Sequence, residues 1–549
     1  MKEPRKSVLS RWVVPFGVVF VGLTVLVGRS DLYRDISENW KLVYEVYKRV
    51  MTNYADRVNP ERLAVSGIKG MLAELDPYSI YLEDQERDGL NMLTKGKYGG
   101  VGIQLGVRDD SLTVIAPIDD SPAMRSGILP GDRIIAIDGK STKDMNLDEA
   151  ARDIRGEKGS KVILTILRYG EVDPLDFELI RDIIRIEDVS YAGMIGDGIG
   201  YVRLSRFSRN SAPEIRKAFR GLMEQDLDKL IVDLRGNPGG LLEAAIQVLD
   251  MMVEEGEEIL STRGRNGESD RTFVAQTDPL LDSRTTLAIL IDGGSASASE
   301  IVAGVIQDLD RGVIVGSPSF GKGLVQSVYP LDPSRSLKLT TAKYYLPSGR
   351  LIQKPGYLRE NMVLDEAELD TVFDTRNGRK VLARGGITPD IEVPPLKMTA
   401  LTRECWRRGL FFKFASLTVQ RREMPLPVVV DDEMLLQFNE FLDSKELTLN
   451  VEGEKEFRTL RTRLDSTAAQ RPVLRHSLGV LEDYFDDMEM ELFEKSRSQL
   501  MVGLEREFSS LVGGIRARIQ SSFDDDPVIL RAREVLSDRM SYDHTLNPS

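Results

Sequence analysis

The stretch Gly294-Ser295-Ala296-Ser297-Ala298-Ser299-Glu300, running on into Ile301-Val302-Ala303-Gly304-Val305-Ile306-Gln307-Asp308, decides how the rest of the chain is read. Its small residues make a turn and its aliphatic run a buried helix. Ahead of it, Leu287-Ala288-Ile289-Leu290-Ile291 is an apolar run of strand length. Behind it, Gly312-Val313-Ile314-Val315-Gly316 is another, leading to Phe320-Gly321-Lys322-Gly323-Leu324-Val325-Gln326. The order is strand, small-residue turn, helix, strand, glycine loop, strand. It sets a serine at a helix start and a lysine in the neighbouring loop. Ser297 is therefore the candidate nucleophile and Lys322 its candidate general base.

The histidines sharpen that reading. Both of them, His476 and His544, lie towards the C-terminus, away from the glycine-rich strands, which argues against a Ser-His-Asp triad. A lysine serves as base when apolar surroundings lower its pKa. Phe320, Leu324 and Val325 are the expected walls of such a pocket, Gly321 and Gly323 leave room for neighbouring backbone, and Gln326 stands four residues on to orient the amine. Two plainer readings compete. Ser297-x-x-Glu300 is also a capping box. Gly316 to Gly323 approaches a phosphate-binding loop but has Gly323 where a magnesium-holding Ser or Thr is needed, and a strand comes after it, so nucleotide binding is rejected. Upstream, Leu230-Ile231-Val232-Asp233-Leu234 ends in Arg235-Gly236-Asn237-Pro238-Gly239-Gly240, a strand and glycine turn that lead into a helix from Leu241 to about Met252. N–H groups of that turn, with that of Ala298, suit an oxyanion hole; an ordinary strand-to-helix turn is the alternative.

These three motifs, in this order, resemble the carboxyl-terminal processing (tail-specific) serine proteases, over roughly Asp76 to Val393. The resemblance implies Ser297 as nucleophile, Lys322 as base, Gln326 beside it, and the N–H groups of Gly240 and Ala298 as oxyanion donors. It implies a multidomain α/β protein whose core is a ββα spiral (crotonase-like), with an inserted PDZ domain, N-terminal helices and a C-terminal helical appendage. Leu324 stands where the family often has Thr. No cofactor or metal is called for.

The expected domains are a signal anchor at 1–30, helices at 31–95, the PDZ module at 96–183, the protease core at 184–395 and helices at 396–549. Lys2, Arg5, Lys6 and Arg11 precede an uncharged run from Trp12 to Gly28 without an Ala-x-Ala site, read as an uncleaved anchor. That implies a single pass of the inner membrane, with the catalytic part on the periplasmic side. In the PDZ module, Gly99-Gly100-Val101-Gly102-Ile103 is a glycine turn entering a strand, suited to gripping a terminal carboxylate. Arg168 is placed by the resemblance where it couples peptide binding to the active site; an exposed strand arginine is the alternative.

The formal charge of -14, without a basic block, leaves no electrostatic footprint for nucleic acid. One cysteine, Cys405, excludes an intramolecular disulfide and a Cys-cluster zinc site. The expected substrates are unfolded or flexible polypeptide C-termini with apolar ends. The C-terminal helices read as an oligomerisation or partner-docking appendage, with an ordinary packed helical domain as the alternative; a homo-oligomer and an adaptor protein join the membrane as expected partners. A catalytically silent PDZ scaffold and a Ser-Lys amidase are the rival readings.

Overall fold

In the computed structural model, residues 13–83, 89, 92, 94–265, 267–356, 372–383, 385–445, 453–468 and 471–547 are described, without the side chains of 13–32, 465–468, 486 and 489. The expected anchor falls partly outside them: Trp12 and the four basic residues are not described, and 13–28 are described only as helical backbone. Among the described residues, no helix is long and apolar enough to cross a membrane.

The chain divides into two units. Of the described residues, the smaller comprises 13–82 and 328–339. In it, α1 (Val13–Asn53) precedes α2 (Pro60–Ala73), whose start obeys the sequence signal: Asn59 accepts the Arg62 N–H and Pro60 occupies the first turn. The Asp76 carboxylate then accepts the N–H groups of Tyr78 and Ser79, ending the helical region early. The next element is a strand, β1 (Ile80–Leu82), within a region expected to be helical. It pairs antiparallel with Ser336–Lys338 and buries Tyr81 and Leu82. Trp40, Val43 and Tyr44 on α1 are exposed.

In the larger unit, the PDZ segment runs β2 (Lys97–Gly100), β3 (Ile103–Arg108), β4 (Ser111–Pro117), α3 (Pro122–Arg125), β5 (Arg133–Ile137), β6 (Lys140–Ser141), α4 (Leu147–Ile154), β7 (Lys161–Leu167), β8 (Leu175–Ile180) and β9 (Asp182–Arg185). Strands β3, β4, β5, β7 and β8 form an antiparallel sheet with β6 beside β5, and β2 pairs with β9. Val114, Ile134, Leu164 and Ile166 pack with Ala150 and Ile154 of α4 into a separate small core.

The core continues as β10 (Val189–Met194), β11 (Ile199–Leu204), α5 (Ser211–Met223), β12 (Lys229–Asp233), α6 (Leu242–Leu249), β13 (Glu258–Gly264), β14 (Arg271–Val274), β15 (Thr286–Ile291), α7 (Ala298–Asp308), β16 (Val313–Gly316), β17 (Leu324–Pro330), β18 (Ser336–Tyr345), β19 (Val372–Asp374), β20 (Lys380–Leu382) and β21 (Ile391–Glu392). Its main sheet has the order β10-β11-β12-β15-β16-β21 and is parallel except at the β10 edge. Period-two alternation divides the strands between two cores. Leu230, Val232, Leu287, Ile289 and Ile291 face α5, α6 and α7, while Ile231, Ala288, Leu290, Val313 and Val315 face the other way.

That second face is covered by the end of the expected C-terminal helical region. After α8 (Ala400–Arg407), α9 (Leu410–Arg421), α10 (Asp432–Asp443), α11 (Glu454–Ala468) and α12 (Pro472–Gln520), the chain ends in α13 (Pro527–Ser537) and α14 (Arg539–Leu546). Ile529, Ala532, Val535, Leu536, Tyr542 and Leu546 from these last two cover the second face. A parallel sheet with apolar residues on both faces needs cover on both. The earlier helices build their own core from Leu401, Cys405, Phe411, Phe438, Leu500, Leu504 and Phe508. Helix α9 also meets the PDZ segment, through Lys413 with Asp109 and Arg421 with the Tyr169 hydroxyl.

Candidate active site

Strand β12 delivers the glycine turn. Asp233 at its end is fully buried and accepts hydrogen bonds from the Tyr201 hydroxyl (2.5 Å) and the Arg235 guanidinium (2.7 Å). The Arg235 and Arg203 charges and these hydrogen bonds hold its pKa below the ordinary carboxylate value, although burial opposes them. Arg235 also pairs with Asp526 at 2.8 Å. Beyond it, buried Asn237 donates to the Leu204 carbonyl and accepts the Gly239 N–H. Gly239 and Gly240 have φ of 91° and 150°. A Cβ at Gly240 would lie 1.9 Å from the Phe207 carbonyl oxygen, and one at Gly239 would lie 2.9 Å from both Ser297 Cβ and the Ala298 nitrogen. Only glycine lets this turn close on the serine.

The serine turn is laced to the same place. Ser299 Oγ donates to the Asn237 carbonyl at 2.9 Å, Ala296 N–H donates to that oxygen at 3.0 Å, and Ser295 Oγ donates to the Leu234 carbonyl. Ser297 caps α7 with φ 54° and ψ -111°, a conformation L residues rarely adopt and which costs about 1–3 kcal/mol. The surrounding bonds hold it there. Among the described residues, neither the Gly240 nor the Ala298 N–H donates to another group.

Glu300 connects this serine to the lysine loop, and its reach was not visible in the sequence. The capping-box reading anticipated its bond from the Ser297 N–H, at 2.8 Å. The same carboxylate, fully buried, also accepts from Ser319 Oγ (2.6 Å), Gly321 N–H (2.6 Å) and Lys322 N–H (2.9 Å). Ser297 and Lys322 N–H share one oxygen, so their backbones lie side by side. Burial raises the Glu300 pKa, against the pull of these four donors. On the carbonyl side, the Tyr344 hydroxyl contacts the Lys322 oxygen and, at 3.3 Å, the Ser297 oxygen. A tyrosine some twenty residues after the lysine carries no sequence signal for this.

Other candidate residues stand apart from this lacing. Lys322 is half-buried and Leu324 buried; Phe320 is 42% exposed, with its ring under the Lys354 ammonium. The Phe320 backbone N–H donates to the Ser295 carbonyl, and that of the next glycine to Glu300. Gln326 lies on β17 and its amide donates to Thr340 Oγ1 at 3.3 Å. In the PDZ segment, Gly99 and Gly100 are ladder residues of β2, opposite Ile183 and Asp182; the turn is Val101-Gly102, with φ 77° at Gly102, and Ile103 opens β3. Arg168 is not an exposed strand arginine. It holds buried Asp132 through two bonds of 2.8 and 2.7 Å, donates to the Gly127 carbonyl and lies over Phe177.

Comparison with known proteins matches residues 198–360 to Peptidase family S41, 113–168 to a PDZ domain, 401–536 to the C-terminal helical domain of probable PDZ-proteases, and 26–86 to the N-terminal domain of the activating protease CtpB. A carboxy-terminal-processing protease of Bartonella bacilliformis is 43% identical over 316 residues, covering 57% of this chain and 72% of its own length. This chain belongs to the S41 carboxyl-terminal processing proteases. Another family member, from Synechocystis, is 38% identical over 62% of this chain and 78% of its own. CtpB of Bacillus subtilis is 34% identical over 57% and 65%. The family accounts for the order of the parts: N-terminal helical domain, PDZ domain, S41 peptidase core and C-terminal helical domain.

Proposed function

We propose that this protease cleaves polypeptides with Ser297 as nucleophile and Lys322 as general base. The observation that carries the proposal is the strained Ser297 backbone, tied to that of Lys322 through one Glu300 oxygen and one Tyr344 hydroxyl. Neutral Lys322 takes the Ser297 hydroxyl proton as Oγ bonds to the scissile carbonyl carbon. The carbonyl oxygen gathers negative charge beside the free N–H groups of Gly240 and Ala298. The lysine ammonium then gives its proton to the leaving amine, and water, deprotonated by the same lysine, hydrolyses the acyl-enzyme. Gln326 orients the lysine.

The PDZ domain, a module that binds polypeptide C-termini, receives the substrate tail at the Gly99 to Ile103 segment, and Arg168 couples its occupancy to the site. We assign the domains to 1–30, 31–95, 96–183, 184–395 and 396–549, and read the core as a ββα spiral. We further infer that the apolar run Trp12 to Gly28 anchors the protein in the inner membrane, its catalytic part on the periplasmic side. The exposed stripe of Trp40, Val43 and Tyr44 supports a homo-oligomer, and an adaptor protein stays among the proposed partners.

Cleavage of an unfolded test protein with an apolar C-terminus, by wild type, Ser297→Ala and Lys322→Ala in detergent, tests the dyad. Activity in the wild type alone is the expected result. Cleavage persisting in both variants overturns it.

A further inference from the structure

A cleft of about 1220 Å³ lies between the foot of the PDZ segment, helix α5 and the C-terminal end of α12. Its charge is unlike that of the chain around it. Lys95, Lys97, Arg185, Arg209 and Lys217 line it, and among the described residues none of the five has a carboxylate within ion-pair distance. All five are exposed. Against them stand Asp119 and Glu187. The third carboxylate, Glu214, is engaged by the N–H groups of Asp188 and Val189, and burial raises its pKa. A sixth cation, Arg516, is spent on the Tyr191 ring and the Ala192 carbonyl. The chain as a whole carries a formal charge of -14, so a concave surface with cations in excess is a local reversal of sign.

We propose that this cleft docks an acidic, extended segment of the substrate polypeptide. The inference rests on the protease reading above and adds to it a preference for tails carrying Asp and Glu in addition to their apolar ends. Charge complementarity selects the occupant. The edge strand β10 runs along the cleft, but Glu214 occupies donors at one end of that strand and Arg516 an acceptor near the other, so a peptide is not held by adding a strand to the sheet. The cations are what remains to hold it. The cleft also borders the catalytic region: Arg209 stands two residues after Phe207, whose N–H and carbonyl bond Gly239 and Leu241, and its own N–H bonds the Thr94 carbonyl next to Lys95. A single aromatic ring, buried under Arg516, gives bases no stacking platform, which sets nucleic acid aside.

The test uses the full chain in detergent with Ser297→Ala, so that peptides are bound and not consumed. Fluorescence anisotropy is read with a labelled ten-residue Asp/Glu-rich peptide, a Gly/Ser peptide of equal length and a single-stranded oligonucleotide. Expected are affinity for the acidic peptide about tenfold above the Gly/Ser peptide, weakening as salt rises from about 50 to 300 mM, and a loss of about tenfold in Arg209→Glu/Lys217→Glu. Both positions are exposed, and an unchanged melting temperature checks the fold; Arg209→Gln/Lys217→Gln should fall between. Equal affinity for both peptides, no effect of the double reversal, or tighter binding of the oligonucleotide overturns the proposal. In parallel, wild type is given test proteins with and without an acidic block before the apolar tail. No cleavage of either, with acidic-peptide binding intact, counts against the protease reading alone. Cleavage of both at one rate, with no peptide preference, counts against the cleft alone.

Discussion

One face of the main sheet carries α5, α6 and α7 and has Ser297 at its rim; the other carries α13 and α14, from the last twenty-odd residues of the chain. Both faces are made by the same strands, and alternate residues of β12 and β15 serve one or the other. They differ in how their cover is supplied. On the first face each helix is the crossover between consecutive parallel strands, so connectivity alone returns it to the sheet. The turns entering those helices then sit at the carboxyl ends of strands, where open α/β sheets place their chemistry. On the second face the strands demand apolar cover without specifying its source, and the helices that meet the demand come after β16 by more than 200 residues. Substitutions on the first face should therefore act on catalysis, and those on the second on stability.

The largest expected effect is on the first face. Glu300→Gln keeps the size of the side chain but replaces an acceptor of four hydrogen bonds with an amide whose nitrogen cannot accept. The Ser297 and Lys322 backbones then lose their shared partner, and kcat should fall about 100- to 1000-fold. Tyr344→Phe removes the carbonyl-side contact and should cost about tenfold. The glutamate also makes a pH prediction. Its pKa is raised in the folded protein by burial. The stability it contributes is then complete below its unfolded pKa, about 4.3, and is lost as pH rises through the higher folded value. Urea midpoints of wild type and Glu300→Gln, tracked upward from pH 4, should show the wild type losing ground. Over that same window wild-type cleavage should rise, because the ionised form accepts all four bonds. Parallel midpoints at every pH would remove Glu300 as the titrating group.

The same contrast separates the parts of the fold and site that were legible in the sequence from those that were not. Leu287 to Ile291, the small residues from Gly294, and Phe320 to Gln326 announced strand, turn and loop because each is a local pattern. Asn59-Pro60 announced the start of α2 for the same reason. Glu300 was read as far as Ser297, three residues away, but its bonds to Gly321 and Lys322 depend on a strand returning beside the helix, which no local period encodes. The cover of the second face lay beyond the sequence in the same way: Ile529, Ala532 and Leu536 share one face of α13, and nothing local to them names Ala288 and Leu290 as their partners.

On the second face, Leu536→Ala should open a cavity against buried strand residues and cost about 2–5 kcal/mol in urea unfolding. The rate per folded molecule, obtained by active-site titration at low temperature, should remain that of the wild type. A drop in that rate as large as the stability loss would mean that the two faces do not divide the work.

One residue joins the faces, and it gives the smallest and most discriminating effect. The Asp526 carboxylate caps α13 by accepting the N–H groups of Val528 and Ile529, and it also pairs with Arg235, whose guanidinium holds Asp233 at the foot of the glycine turn. The second-face cover thus reaches the base of the loop that carries Gly239 and Gly240. Asp526→Ala loses the cap and should lower stability by about 1 kcal/mol. Asp526→Asn retains a capping oxygen, so its stability should stay near the wild-type value while the ion pair with Arg235 is lost. If the pair positions the turn, Asp526→Asn lowers kcat about threefold at unchanged KM, and added salt narrows the difference between the two proteins. If it serves only to fasten α13, Asp526→Ala shifts the urea midpoint, both substitutions leave kcat alone, and the division between the faces is complete.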